Sequence, residues 1–360
     1  MSTNTRMAEI MQLMAKEAPP KAGLWETILP RISKGTVIPV ISSSFRIEQI
    51  FREIAAQGEL TVVEQLVAQW AARIEYPMQD NYDLARVAQY HLVEQNDDPN
   101  ARTEMVNFLK LIFLAMVSTD SDTREQASIL RNKIQEKRFS DLVTELEYPR
   151  FVDPAEDPLR VLARLPLPIY VTTSQANFME RALMAENKTP LTQVCFWSGE
   201  ISNMSPAHRT DPDFAPTVTN PLVYHLYGLE DYPQTLVLSE DDYVNFLLAV
   251  VEDINMLNPK VPLYVRRALG ESQLLLIGYR LSDWDFRVLF RFLLKFRTDG
   301  FSPRGMLIQL RERERDLSSE NALRYLGRYF GKRTFDIEWS DAEAFIRKLW
   351  SEWDAYRKNQ

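Results

Sequence analysis

The chain has 360 residues, 45% of them hydrophobic and seven of them tryptophan, which is enough apolar material for a substantial core and argues against global disorder. A formal net charge of −8 and a pI near 5.2 argue against broad, non-specific nucleic-acid binding. One cysteine and three histidines leave no internal disulfide, no cysteine-rich zinc site and little basis for nitrogen- or sulfur-ligated metal catalysis, so no metal site is expected.

The first residues lack the apolar core of a secretory signal. The longest apolar windows, such as residues 111–117, are too short to span a bilayer. A cytoplasmic protein with no membrane association is the expectation by elimination. Residues 5–18 place Met7, Ile10, Met11 and Met14 on one helical face, which reads as a packing helix, against a partner subunit or the body of the protein. Trp25, Ile28, Leu29 and Ile32 mark a second helix.

Residues 36–41 are β-branched and bounded by turn formers, the pattern of a first core strand. Pro39 counts against it, because proline removes a ladder donor. Ser42, Ser43 and Ser44 follow, and then a helix through Ile50, Phe51 and Ile54. Strand, small-residue turn and helix is the layout of a phosphate-binding loop, in which glycines usually let a pyrophosphate approach the backbone. Residues 60–150 carry helical periodicity and few strand signals, with Val62, Val63, Leu66, Val67 and Trp70 as one stripe. They read as a helical insertion within a single domain spanning 1–360. His91 has no carboxylate partner in reach by spacing and reads as structural.

Prolines punctuate residues 151–168 as a return loop enclosing a short helix. Residues 168–173 form a second strand that runs into Ser174, Gln175, Ala176 and Asn177 and a helix through Phe178 and Leu183. Cys195 sits in a third strand over residues 194–197 as a buried core thiol. Residues 199–220 are loop-rich, with His208 exposed. Residues 221–228 form a fourth strand with His225 near its end, the one histidine placed to face a crevice. Ser239 and Asp242 cap the next helix. Residues 274–277 form an apolar strand ending at Gly278, followed by a polar turn and an amphipathic helix from Phe286. Further strands are expected at 304–310 and 334–339, the alternating charges of 311–316 on a solvated face, and a capping box at Ser340 to Glu343 ahead of a last helix. Strands alternating with helices predict an α/β, Rossmann-like, mostly parallel sheet with helices on both faces.

Four of these stretches, in order, resemble motifs of the prokaryotic sirtuin-like (silent-information-regulator-type) family. Residues 37–46 lie where the family has a Gly-Ala-Gly-type loop. Residues 169–174 with 180–183 resemble its Thr-Thr-Asn-Tyr-Asp segment. Residues 223–228 with 236–243 resemble its His-Leu-His-Gly segment and acidic turn, and residues 276–283 its terminal Gly-Tyr-Ser-type loop. The resemblance implies an NAD site. His225 matches the family's base, and Ser174 takes the place of its catalytic asparagine, for which Asn177 is a nearby substitute. Ser42, Ser43, Ser44, Thr173, Asn177, Gly278, Tyr279 and Asp283 are the implied NAD-binding residues, and Arg280 replaces a commoner small residue. The implied function is an NAD-hydrolysing effector of prokaryotic antiviral defence, gated by a protein partner or by homo-oligomerisation. The serine loop and Ser174 support an alternative, a catalytically degenerate sirtuin-like subunit with a structural, nucleotide-sensing or assembly role. A single cysteine does not supply the four-cysteine zinc module of the family's deacylases.

Overall fold

The computed structural model describes residues 23–54, 60–98, 100–198, 214–252, 260–280, 283–295, 306–310 and 335–360. The expectations for residues 5–18, His208 and residues 311–316 lie outside them. Among the described residues the chain runs α1 (Leu24–Ser33), β1 (Val37–Ile41), α2 (Ser43–Ile50), α3 (Val62–Arg73), α4 (Leu84–Glu94), α5 (Ala101–Val117), α6 (Arg124–Arg131), α7 (Phe139–Glu145) and α8 (Pro158–Arg164). It continues with β2 (Ile169–Thr172), α9 (Phe178–Ala185), β3 (Leu191–Val194), β4 (Leu222–His225), α10 (Glu240–Glu252), α11 (Leu263–Glu271), β5 (Gln273–Tyr279), α12 (Trp284–Lys295), β6 (Met306–Leu310), β7 (Phe335–Trp339) and α13 (Ala342–Lys358).

The strands form one parallel seven-stranded sheet in the order β3-β4-β2-β1-β5-β6-β7. β1 and β5 run side by side at its centre, and all five residues of β1 and all seven of β5 are buried. Both faces are covered, as such a sheet requires. Val37, Ile41, Tyr170, Val223, Leu275 and Ile277 pack with α1, the block α3–α8 and α13. Ile38, Val40, Val171, Tyr224, Leu274 and Leu276 pack with α10, α11 and α12. The alternation follows from the two-residue period of a strand. The α/β, Rossmann-like expectation with helices on both faces is the fold observed.

Pro39 is accommodated by register. Gln273 N–H donates to Thr36 O and Ser42 N–H to Ile277 O, so even-numbered positions of β1 bond toward β5. Pro39 therefore faces β2, and its missing N–H coincides with the late start of the β1–β2 pairing, at Val40, while the central β1–β5 ladder is complete. The third strand is shifted upstream of the expected 194–197. Leu191 to Val194 pair with β4, while Trp197 leaves the sheet and its indole N–H donates to Thr235 O at 2.9 Å. The last helix is capped by Asp341, which accepts from Glu343 N and Ala344 N, rather than by Ser340. The cap of α10 is as expected: Ser239 Oγ accepts from Asp242 N, and Asp242 Oδ2 from Ser239 N. α11 has no counterpart in the sequence pattern, because Arg266, Arg267 and Gly270 dilute a buried stripe reduced to Val265 and Leu269.

Gly278 closes β5 with φ +78°. A Cβ there would lie 3.1 Å from Phe45 Cβ, so the glycine serves both the left-handed backbone and the seat of α2. Gly278→Ala is expected to destabilise the fold by about 1–3 kcal/mol, measured as a lower urea midpoint.

Candidate functional site

The chain leaves β1 toward β2 on one side and leaves β5 toward β6 on the other. The carboxyl ends of these adjacent strands therefore form the switch point where open α/β sheets bind ligands. Here that crevice is laced shut. Ser42 Oγ donates to Gly278 O at 2.8 Å, Ser44 Oγ lies 3.4 Å from the same carbonyl, and the two hydroxyls are 2.8 Å apart. None of the three serines has positive φ, so the turn does not need the conformational freedom of glycine.

Three backbone donors of the turn are engaged as well. Ser42 N–H bonds Ile277 O, Ser43 N–H donates to Thr173 Oγ1 at 2.9 Å, and Phe45 N–H bonds Ser42 O. Behind Ser43 sits Asp285, unremarked in the sequence pattern. Its Oδ2 accepts from Ser43 Oγ at 3.3 Å and from Thr173 Oγ1 at 3.4 Å, and its backbone carbonyl accepts from Tyr227 Oη at 2.8 Å. Asp285 Oδ1 is buried with no hydrogen bond among the described residues. Burial, reinforced by the charge of Asp283, pushes the Asp285 carboxyl up to about 7; Ser43 and the Arg280 charge oppose this. Burial likewise pushes the Tyr279 hydroxyl well above its ordinary value.

Arg46 and Arg280, the nearest guanidinium groups, are engaged elsewhere. Arg46 grips Asp157 with bonds of 2.9 and 2.7 Å. Arg280 reaches Glu48 at 3.3 Å and lies 3.7 Å from both Glu64 and Asp283. Asp283 thus faces Arg280. The serine turn fits a pyrophosphate poorly: the Ser42, Ser43 and Phe45 amides are occupied, the Ser42 and Ser43 hydroxyls bond Gly278 O and Asp285, and a carboxylate stands behind it.

His225 does not face a crevice. Its side chain is fully enclosed, with Nδ1 2.8 Å from Ser174 O and Nε2 2.8 Å from Glu180 Oε1. Thr192 Oγ1 donates to the same Glu180 oxygen at 2.8 Å. Burial lowers the affinity of the ring for a proton, but the Glu180 carboxylate, by charge and hydrogen bond, and the Ser174 carbonyl outweigh it, so its pKa is raised. Both ring nitrogens are engaged, and the imidazole is a clamp between β4 and α9, unsuited to act as a free base. Ser174 Oγ turns onto its own backbone, donating to Ala176 O at 3.0 Å and accepting from Ala176 N at 3.2 Å. Asn177 is buried and accepts from Ser140 Oγ of α7, which commits its carbonyl away from the strand ends. Tyr227 occupies the position before Gly228. It is the third residue of the His-Leu-Tyr-Gly run, visible in the sequence as a departure from the family's second histidine.

A cleft of about 60 Å³, partly open to solvent, lies beside this closed crevice. Ser43, Ser44, Ser174 and Gln175 form its polar end, and α3, α4, α5, Phe139 and Phe178 its apolar walls. Of the expected site residues, Ser43, Ser44 and Ser174 line it. His225, Gly278, Tyr279, Thr173 and Asp283 do not. His91, expected to have no carboxylate in reach, has Nε2 3.2 Å from Glu104 Oε2 on α5, a proximity across helices that spacing within one helix does not reveal. Among the described residues there is no group of three or more His, Cys, Asp or Glu able to hold a metal ion, and no helix long and apolar enough to cross a membrane.

Two stability measurements check these assignments. His225→Ala leaves Glu180 buried without its cation and is expected to cost about 3–5 kcal/mol. Because the folded pKa is raised, that contribution is complete below pH 6.5 and is lost as pH rises through the folded value. Asp285 has the opposite consequence. Its folded form binds more protons than the unfolded chain between about pH 4 and 7, so stability falls as pH rises through that window. Asp285→Asn is expected to unfold at a higher temperature than the wild type at pH 8, with the difference vanishing near pH 4.

Residues 168–330 match the family model of the SIR2-like domain. No curated protein matches the chain. The matched span begins just before β2 and takes in β3 to β6, α9 and the strand ends that carry Ser174, Tyr227 and Gly278. SIR2-like domains are an NAD-related family. Residues 168–330 of the chain are thus similar to the SIR2-like domain.

Proposed function

We propose that this protein is a sirtuin-like ligand-binding and assembly module that has lost cleavage of the nicotinamide–ribose bond. The observation that carries this reading is the closed His225–Glu180 clamp, with both ring nitrogens engaged and the side chain fully enclosed. A general base needs an open path to the proton that it removes, and this imidazole has none. The self-bonded Ser174 hydroxyl and the laced serine turn support the same reading. A protein partner or a second copy of the chain is part of the proposal, since a module without chemistry acts through what it binds.

One observation favours a second reading, an NAD-hydrolysing effector of antiviral defence released by a partner or by oligomerisation. The Asp285 carboxyl, raised to about 7, titrates in the range in which general bases work. Incubation of the full chain with NAD, with nicotinamide quantified chromatographically, separates the two. No release is expected from the wild type, His225→Ala or Asp285→Asn. Release by the wild type that Asp285→Asn abolishes would establish the second reading and overturn the first.

A further inference from the structure

Lys188 sits where α9 gives way to β3, and its backbone is fixed there. Its amide donates to Leu183 O at 3.0 Å, and Asn187 before it takes a left-handed backbone at φ +59°. The side chain turns back onto α8, where Nζ donates at 2.9 Å to Leu165 O, the carbonyl that closes that helix. Leu165 and Leu183 are buried, and Lys188 itself is half-buried. Among the described residues no carboxylate pairs with this amine. Lys110, Lys137 and Lys358 by contrast each face one, and Glu186, two residues upstream of Lys188, pairs with Arg160 at 2.8 Å.

Burial beside a neutral acceptor, with no counter-charge, disfavours the ammonium form. It pulls the Lys188 amine down to about 8, against a smaller upward pull from Glu186. At pH 7 about one such amine in ten is neutral, against fewer than about one in a thousand for an ordinary lysine. The neutral amine can leave one N–H on Leu165 O and still present a lone pair, and a desolvated lysine of this kind is a nucleophile.

We propose that Lys188 is an acylation site of this protein, its Nζ positioned by the carbonyl that closes α8 and taking its acyl group from small acyl phosphates. The Nζ lone pair attacks the carbonyl carbon and the N–C bond forms. The C–O bond to phosphate breaks, phosphate leaves with the electron pair, and the nitrogen releases a proton to solvent. The product amide is uncharged and keeps one N–H for Leu165 O. Acylation therefore removes a positive charge from the turn ahead of β3, the strand paired with the one that carries His225, and leaves the end of α8 satisfied.

The test is separate from the nicotinamide assay and needs no variant to fold. The full chain is incubated with acetyl phosphate, and acetylation of each lysine is timed by peptide mass spectrometry, with the exposed Lys34 and Lys133 as internal references. Lys188 is expected to react at least about fivefold faster than either at pH 7. Its rate is expected to level off above pH 8 in the folded chain and to keep rising to pH 9.5 in guanidinium chloride, where its lead over the references disappears. A rate at Lys188 no higher than that of the references, a rate in the folded chain still rising tenfold from pH 8.5 to 9.5, or a lead that persists after unfolding would each overturn the proposal.

Discussion

The Gly278 carbonyl accepts the Ser42 hydroxyl, and the left-handed backbone of the same residue leaves the space that Phe45 fills. These two contacts bind the end of β5 to the start of α2 across the switch point of the sheet. From them follow the direction of α2, the position of Ser43 over Asp285 and the placing of Arg46 against Asp157 on the loop before α8. A glycine-rich turn would leave the crevice open to phosphate. Three serines convert the same backbone path into a seam, and the accessible space moves sideways toward α3–α5.

The buried charges tell a consistent story. The pairs Glu180–His225, Arg280–Glu48 and Lys110–Glu230, the last at 3.1 Å, each join a helix to a residue at the carboxyl end of a strand or in the loop beyond it. Paired buried ions add little net stability, while breaking a pair is costly. Their effect is to hold loops in one arrangement. Glu230 illustrates it: burial pushes its carboxyl up against the pull of Lys110 and of the Phe139 amide, and in return it ties the loop after β4 to the first turn of α7. Where an active enzyme would keep ionisable groups free to exchange protons, this site spends nearly all of its own on internal partners.

The sheet was legible because its strands are continuous apolar runs separated by helical stripes. The residues of 273–277 and 168–173 announced themselves by composition alone, and Gly278 by its place at the end of one. The site was legible only in part. Motif order located Ser42, Ser174, His225 and Gly278 at strand ends, but a motif records position and not the direction in which a side chain points. His225 and Tyr227, two residues apart, are both buried, and only the pairing of His225 with Glu180, 45 positions away, shows that the imidazole is committed to an internal partner. Asp285 escaped notice because a lone acidic residue at a helix start normally reads as a solvent-facing cap. Its character comes from Tyr227, Thr173 and Ser43, drawn from three distant segments.

Cys195 follows β3 immediately, fully buried, and its amide donates to His225 O at 2.9 Å. Being the one thiol in the chain, it makes the protein its own optical gauge. A thiol reagent can label it only when the β3–β4 edge detaches, so the labelling rate reads the local opening free energy directly. The same edge holds the histidine clamp, and ligand or partner binding that tightens the clamp would register as slower labelling without any engineered probe.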